Sequence, residues 1–271
     1  ALSDGSGESD NYTLSGGTLL LDVTQKDISL SGSRVYDGTN AANSGSFSTF
    51  SGLIGSETLS VSGSGTVSSA LVESSKVVNL GDLALADGSG AATNYNLNGA
   101  TLTISKRPVN VTLTRVYDGT TNISGSDDPS IGNLIGNETL TLSGSGSIGS
   151  SNAANGKSVT LGSLALSSGT GSESNYTLTG GTHLASINKR PVNLSGTRIY
   201  DGTTNASSSD LSSFGNLISG ETLTLAGSGV LGSKDVGTNK SVGIGTLALE
   251  NNSGNANNYT LSGGTLQLSI T

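Results

Sequence analysis

The chain contains no cysteine, methionine or tryptophan, and it has only three prolines and one histidine. Without cysteine, disulfide staples and thiolate chemistry are excluded. A single imidazole, that of His183, cannot supply both a metal site and a catalytic triad, and we expect it to be a rim residue of the core. No apolar run approaches the roughly 20 residues of a transmembrane helix. We therefore expect neither an enzyme nor a segment that inserts into a membrane.

Charged residues are also scarce, and the acidic ones predominate. Twelve Lys and Arg stand against 20 Asp and Glu, which gives a net charge of −8 and a pI near 4.5. So few scattered cations cannot form the basic stripe that a phosphate backbone requires, and nucleic acid is not an expected partner. Ala1 does not begin a charged and then apolar signal segment, so we expect any export signal to lie outside this sequence.

What the chain has in abundance is glycine, which occurs 41 times, and internal repetition. Tyr-Asp-Gly occurs at 36–38, 117–119 and 200–202, and Asn-Tyr follows at 94–95, 175–176 and 258–259. The interval from the opening to the closing tyrosine is the same in every copy. A constant interval with diverged residues inside it indicates a folded unit, because an insertion would shift the register of its strands.

These landmarks divide the chain into four segments of a tandem array. Residues 1–23 match the closing part of a repeat and are predicted to be the C-terminal fragment of a preceding one. Repeat 1 is predicted at 24–105, repeat 2 at 106–188 and repeat 3 at 189–271. A unit of roughly 80 residues buries only about 60–65% of its unfolded surface, so we expect neighbouring repeats to support one another.

Apolar residues alternate with polar ones in short runs such as Val109, Val111 and Leu113, which predicts half-buried strands. In repeat 2 we predict a loop at 120–129 and a tight hairpin turn at Gly180-Gly181, and the one segment that could hold a single helical turn is 151–157. No window has the spacing of an amphipathic helix. The predicted fold is all-β: a tandem array of three small β-rich modules, sandwich- or grasp-like and mostly antiparallel, forming an elongated rod.

The recurring Arg-Val/Ile-Tyr-Asp-Gly element is the candidate site. An exposed Tyr beside Arg and Asp suits contact with a glycan or protein, whereas a strand end needs a Tyr over the core and an Asp that caps backbone amides. We favour the structural interpretation because binding sites rarely need every copy of a domain. The residues concerned are Arg34, Tyr36, Asp37, Arg115, Tyr117, Asp118, Arg198, Tyr200 and Asp201.

Other motifs carry no predicted chemistry, so we expect no catalytic, cofactor-binding or metal-binding residues and no cofactor. The glycine-rich runs at 144–149 and 227–232 match a dinucleotide-binding pattern, but no amphipathic helix follows them. Glu57, Glu138 and Glu221 recur once per repeat, whereas general acid–base catalysis needs two carboxylates close together, and we assign them turn or loop roles. Carboxylates with the alternating spacing of a calcium loop are absent.

The chain resembles the YDG-type repeats of large bacterial exoproteins, above all filamentous-haemagglutinin-like adhesins of two-partner secretion systems. The matching features are Lys-Arg-Pro-Val before the first strand, Tyr-Asp-Gly-Thr-Thr at 117–121 and 200–204, residues 235–242 and Asn-Tyr-Thr-Leu-x-Gly-Gly-Thr. Repeat 1 departs from the pattern, with Gln-Lys-Asp-Ile at 25–28. The resemblance implies a stalk that projects an adhesive region from the bacterial cell surface, with roles in biofilm or host attachment.

We therefore expect a non-enzymatic stalk segment of an extracellular, cell-surface or secreted adhesin, monomeric as this fragment. Its expected partners are extracellular polysaccharide or cell-surface glycans, contacted through the parent protein. Three alternatives stay open. The repeats could themselves bind carbohydrate or a matrix ligand, the chain could be a non-catalytic accessory region of an extracellular enzyme, or an intramolecular Lys–Asn amide could reinforce each repeat mechanically.

Overall fold

The computed structural model describes all residues, 1–271. The chain divides into two compact units: unit 1 is Ala1–Arg34 with Thr39–Ile104, and unit 2 is Val35–Gly38 with Ser105–Thr271. The structure is all-β, as predicted, with no α-helix, and no helix in it is long and apolar enough to cross a bilayer. Its only helical elements are five 3-10 turns: Ser9–Asn11, Ser44–Ser46, Ala92–Asn94, Glu173–Asn175 and Ala256–Asn258.

Repeat 1 forms a six-stranded sheet in the order β2-β5-β6-β8-β1-β3 and a separate pair, β4-β7. Its strands are β1 (Lys26–Val35), β2 (Ala41–Asn43), β3 (Phe47–Ser51), β4 (Leu59–Ser62), β5 (Ser64–Val67), β6 (Glu73–Asn79), β7 (Ala84–Asp87) and β8 (Tyr95–Ser105). Ile28 of β1 and Tyr95 of β8 are buried together with Leu59 of the separate pair. In the preceding segment, Leu19 and Leu21 are 79% and 86% exposed.

Repeats 2 and 3 repeat this plan within unit 2, with six-stranded sheets in the orders β11-β14-β15-β18-β10-β12 and β21-β24-β25-β28-β20-β22. The strands of repeat 2 are β9 (Arg107–Pro108), β10 (Asn110–Val116), β11 (Asn122–Ser124), β12 (Ser130–Gly132), β13 (Leu140–Ser143), β14 (Ser145–Ile148), β15 (Ala154–Thr160), β16 (Ala165–Ser168), β17 (Tyr176–Thr177) and β18 (His183–Asn188). Those of repeat 3 are β19 (Arg190–Pro191), β20 (Asn193–Arg198), β21 (Asn205–Ser207), β22 (Ser213–Gly215), β23 (Leu223–Ala226), β24 (Ser228–Leu231), β25 (Gly237–Gly243), β26 (Ala248–Asn251), β27 (Tyr259–Thr260) and β28 (Leu266–Ile270).

The first and last long strands of a repeat lie side by side in the middle of its sheet. In repeat 2, β10 pairs with β18 in parallel, with Leu113 opposite Ala185, while the neighbouring pairs are antiparallel. The prediction of three mostly antiparallel modules is thus confirmed. Because the last strand ends beside the end of the first, the chain leaves each repeat next to that repeat's Tyr-Asp-Gly: Tyr117 N–H donates to the Asn188 carbonyl at 2.8 Å.

The predicted hairpin at Gly180-Gly181 is wrong. The chain does turn there, with Gly181 N–H bonded to the Leu178 carbonyl, but the flanking strands do not pair with each other. Instead β17 pairs in parallel with β9, and β18 pairs in parallel with β10. β17 and β18 therefore run in the same direction, and the turn residues form a bulge between them. A Cβ on Gly181 would lie 1.8 Å from the Val109 carbonyl oxygen. Glycine is required here by close backbone approach.

Two short segments also differ from expectation. The predicted loop at 120–129 contains β11, whose Ile123 is fully buried, and the segment 151–157, which could have held a helical turn, lies largely in β15. β11 has only three residues, too few for alternation to be recognised from sequence, and the start of β15 carries no alternating apolar residues. The predicted faces of β10 are correct, because Val111 and Leu113 are buried while Thr112 and Thr114 are exposed.

The hydrophobic core of unit 2 is continuous across two repeats. One cluster of buried residues contains Leu113 and Tyr117 of repeat 2 together with Leu223, Tyr259 and other residues of repeat 3. Each repeat is too small to bury a large core alone. The junction between repeats 2 and 3 enlarges the core by burying apolar side chains from both. Mutual support between these neighbours therefore has a physical basis in shared burial.

Candidate functional site

The Tyr-Asp-Gly element is a strand end built in the same way in repeats 2 and 3. Gly119 has φ of +79°, a left-handed conformation that favours glycine, and the equivalent glycine of repeat 3 has φ of +77°. Asp118 Oδ1 accepts a hydrogen bond from the backbone N–H of Thr120 at 2.9 Å. Arg115 donates to Asp118 and to the Thr120 carbonyl. The Arg and Asp side chains are thus engaged by their own turn.

The tyrosine of this strand end leaves its own repeat and is buried in the next. Tyr117, which is 4% exposed, donates from its hydroxyl to Oε1 of Glu221 in repeat 3 at 2.6 Å. Tyr259 donates to the other oxygen, Oε2, of the same carboxylate. The two rings pack edge to face with centroids 5.5 Å apart. We call Tyr117, Glu221 and Tyr259 the Tyr-Glu-Tyr joint.

The same joint occurs a second time in unit 2, where Val35–Gly38 belong. Tyr36 donates to Oε1 of Glu138 at 2.8 Å, Tyr176 donates to Oε2, and the rings lie 5.4 Å apart at 79°. Two occurrences of one arrangement, with its Glu just over a hundred residues after its first Tyr, show that the joint is a property of the repeat.

A buried asparagine closes each joint from the side. Asn258 is 1% exposed; its amide donates to Asn152 Oδ1 at 3.0 Å, and its carbonyl accepts from Ala153 N–H at 2.8 Å. These contacts tie the closing Asn-Tyr of repeat 3 to the 151–157 region of repeat 2. All polar atoms that the joint removes from water therefore gain partners, as burial requires.

An arginine brackets the backbone of the joint. Arg190, from the Lys-Arg-Pro link, donates from Nε and Nη2 to the backbone and side-chain oxygens of Asn216 at 2.6 and 2.8 Å, and from Nη1 to the Tyr117 carbonyl at 3.4 Å. Asn216 has φ of +66° and donates to the Pro191 carbonyl. The planar guanidinium fork suits this two-point contact. In repeat 1 the corresponding positions hold Lys26 and Gly52.

The joint raises the pKa of its tyrosines. Burial, and then the hydrogen bond to Glu221, raises the pKa of Tyr259 to about 12, and burial with Glu138 does the same for Tyr176. The pKa values of Tyr36 and Tyr117 also rise, mainly through burial and then through their glutamate bonds. Ionising a tyrosine here would bury a second negative charge beside the carboxylate. The hydroxyls therefore stay protonated donors at neutral pH.

The nine candidate residues differ in their surroundings: the Arg and Asp side chains are alike in all copies, whereas the tyrosines are not. In every copy the Arg is half-buried and bonds its own turn, and the Asp is exposed. Tyr36 and Tyr117 are buried in a joint, but Tyr200 is 47% exposed. The arrangement therefore gives Tyr36 and Tyr117 a role in joining repeats. His183 lies at the sheet rim, where its Nε2 bonds the Leu178 carbonyl at 2.8 Å.

Sequence reasoning missed the receiving side of the joint. Glu138 and Glu221 do lie in turns, as predicted, but each carboxylate also accepts from two tyrosine hydroxyls, which was not predicted. The signal was present, because the glutamate stands at a fixed distance before the closing tyrosine in all three repeats. No group of three or more His, Cys, Asp or Glu side chains is placed to hold a metal ion.

A shallow groove recurs beside the closing tyrosine of repeats 2 and 3. Each groove has a volume of about 350 Å³. Lys189, Ile244 and Leu247 line the groove of repeat 3, and Lys106, Leu161 and Leu164 line that of repeat 2. Equivalent positions thus form the same concavity in both repeats.

The fold and the joint together define a class of protein: a tandem array of small all-β modules in which a strand-end tyrosine is buried in the following module. A model of the YDG domain matches the chain three times, at residues 21–104, 100–183 and 187–266. The chain therefore belongs to the YDG domain family. No curated protein and no solved structure matches it in the same comparisons.

Proposed function

We propose that this chain is a stalk segment of a bacterial surface or secreted adhesin. The observation that carries the proposal is the Tyr-Glu-Tyr joint, which occurs twice with the same partners and nearly the same geometry. Hydrogen bonds to an ionised carboxylate are strong and directional, these carboxylates are half-buried, and edge-to-face ring packing adds to the hydrogen bonds. Within unit 2, such a joint would fix the angle between repeats 2 and 3, as a stalk requires.

The proposal includes the setting of the stalk. We place the chain outside the cell, as part of a filamentous-haemagglutinin-like adhesin exported by two-partner secretion. There the array would form an elongated rod and project an adhesive region for attachment to other cells, biofilm matrix or a host. In this role the segment is not an enzyme, and polysaccharide or cell-surface glycans meet other parts of the parent protein. The YDG family membership and the repeated joint support this assignment.

Small-angle scattering on the whole chain tests the stalk. A stiff array has a pair-distance distribution with a long tail, and the variant Tyr117→Ala should gain flexibility between repeats 2 and 3. The matched control is Tyr200→Ala, which removes the exposed tyrosine of the same motif. A compact, globular scattering profile for the unmodified chain would exclude a stalk.

A second candidate function is ligand binding by the repeats themselves, which the recurrent groove supports. A lysine beside apolar side chains could hold an acidic sugar, and identical placement in two repeats would give multivalent attachment. A glycan array with the soluble chain separates the two functions. Binding that is lost in the variant Lys106→Ala/Lys189→Ala would establish the groove as a site, whereas a pure stalk binds none of the glycans.

A further inference from the structure

The chain enters and leaves repeat 2 along two neighbouring parallel strands. β10 and β18 pair at six consecutive positions, the last of which sets Val116 opposite Asn188. The chain reaches this ladder from the Lys-Arg-Pro link at 106–108 and leaves it through the equivalent link at 189–191. Because the strands are parallel, the chain enters at one end of the ladder and leaves at the opposite end.

This geometry determines how tension along the chain acts on the repeat. A pull on the two links draws the start of β10 and the end of β18 in opposite directions, along the strand axes. Because the hydrogen bonds of a ladder join the strands sideways, such a pull loads all of them together, in shear. A pull that separates two adjacent strand ends instead breaks the same bonds one after another.

The ladder continues past the bulge at Gly180-Gly181. β17 pairs in parallel with β9, and Val109 N–H donates to the Thr177 carbonyl at 3.0 Å. At the bulge, Oδ1 of Asn110 accepts a hydrogen bond from Thr182 N–H at 2.9 Å. We call this side-chain contact the ladder clip, because it joins the two chains where the bulge interrupts the backbone pairing.

Repeat 3 has the same arrangement. β20 pairs in parallel with β28, and β19 pairs in parallel with β27. Asn193 Oδ1 accepts from Thr265 N–H at 2.8 Å, which is the equivalent ladder clip. A Cβ on Gly264 would lie 1.9 Å from the Val192 carbonyl oxygen, as at Gly181 of repeat 2. The ladder, its bulge and its clip are therefore properties of the repeat.

The strands that would carry the load are sheltered from water. β10 and β18 lie in the interior of the six-stranded sheet, whose edges are the short strands β11 and β12. On the core face, Leu113, Ala185 and Ile187 are each 2% exposed or less. A hydrogen bond is stronger where the surroundings exclude water, so the bonds of this ladder resist separation.

We propose that the parallel ladder of each repeat is a mechanical clamp, which holds the repeat folded when the chain is under tension. The strands that lie between its two sides in sequence, β11–β16 in repeat 2, carry no load until the clamp breaks. Forced unfolding is governed by the unfolding rate and not by equilibrium stability, so even a small repeat with a thin core resists a pull. The clamp rests on the proposed stalk function only for its source of tension.

Pulling single molecules in two directions tests the clamp. The chain has no cysteine, so a pair of introduced cysteines fixes the points at which force is applied. In the whole chain, Lys106→Cys/Lys189→Cys loads the ladder of repeat 2 along its strands. Lys106→Cys/Ser174→Cys holds two adjacent strand starts, since Tyr176 pairs with Arg107, and therefore peels the ladder open. The three substituted positions are exposed.

We expect a several-fold higher rupture force along the strands than across them. The six residue pairs of β10 and β18 resist together in the first direction and one after another in the second. Urea unfolding of both cysteine variants should match that of the unmodified chain, which separates a difference in force from a damaged fold. Equal rupture forces in the two directions would overturn the proposal.

The ladder clip supplies a matched pair of variants. Added to Lys106→Cys/Lys189→Cys, Asn110→Ala removes the bond to Thr182, whereas Asn122→Ala removes an exposed side chain of β11 outside the ladder. The first should lower the rupture force along the strands, and the second should leave it unchanged. Equal forces in the two variants would contradict the role of the clip. A compact scattering profile would exclude the stalk without altering these forces, so the two proposals can fail separately.

Discussion

The joint predicts a large difference between two tyrosines of the same motif. Tyr117 is buried between repeats 2 and 3 and bonds Glu221, whereas Tyr200 is exposed. Truncating a buried aromatic side chain to Ala costs about 3–5 kcal/mol, and truncating an exposed one changes stability by about 0.5 kcal/mol or less. We expect Tyr117→Ala to destabilise unit 2 by the first amount and Tyr200→Ala by the second.

A smaller change separates the hydrogen bond from the ring. Tyr117→Phe retains the edge-to-face contact with Tyr259 but removes the donor to Oε1 of Glu221. A hydrogen bond to a charged group contributes about 1.5–3 kcal/mol, so the Phe variant should fall between the unmodified chain and the Ala variant. Tyr259 still donates to Oε2, which keeps the carboxylate partly paired.

Urea unfolding followed by circular dichroism measures these differences. At about 2–4 °C per kcal/mol for a unit of this size, Tyr117→Ala should also lower Tm by on the order of 10 °C. Because repeats 2 and 3 share a core, we expect one cooperative transition in the unmodified unit and a split or broadened one in the Ala variant. Equal, small effects of Tyr117→Ala and Tyr200→Ala would refute the coupling through the joint.

Three further predictions follow from the same geometry. The pKa of about 12 for Tyr259 lies above the ordinary 10, so the stabilisation from this hydroxyl should be fully present below about pH 10. Towards pH 12 the free energy of unfolding should fall by about 2–3 kcal/mol, with a shallower fall in Tyr259→Phe. A free energy of unfolding that does not change over this range in urea titrations would contradict the burial of the hydroxyl. Arg190→Lys should lose about 1.5–3 kcal/mol in the same assay, because an ammonium cannot bracket Asn216 at two points; full stability of the Lys variant would show that charge alone is enough. Gly181→Ala should cost about 1–3 kcal/mol or more because its Cβ would meet a backbone oxygen, whereas the control Gly149→Ala, with open space around it, should be nearly neutral, and equal Tm values would argue against the bulge.

Much of the fold was predictable because its signals are local. Alternation along Val109, Val111 and Leu113 identified a half-buried strand, and the structure buries all three. The left-handed glycine of each Tyr-Asp-Gly followed from turn chemistry. The equal spacing of the repeats indicated modules of one design, and three sheets of the same strand order confirm it.

The pairing of strands was less accessible. The Gly180-Gly181 pair predicts a turn but does not specify which strands pair with β17 before it and β18 after it. The parallel pairing of β18 with β10 joins residues on either side of a whole repeat, for example Ala185 with Leu113. Such contacts depend on how the intervening strands fold, so no local pattern encodes them.

The candidate site was likewise predictable only in its local features. The amino-acid sequence was sufficient for the position of each tyrosine, for the turn that follows it and for the Glu that recurs in every repeat. Only the folded chain shows that the tyrosine of one repeat bonds the glutamate of the next, because the two lie just over a hundred residues apart. Their partnership depends on the packing of complete modules, since a hydroxyl and a carboxylate form a lasting bond only where burial has removed competing water.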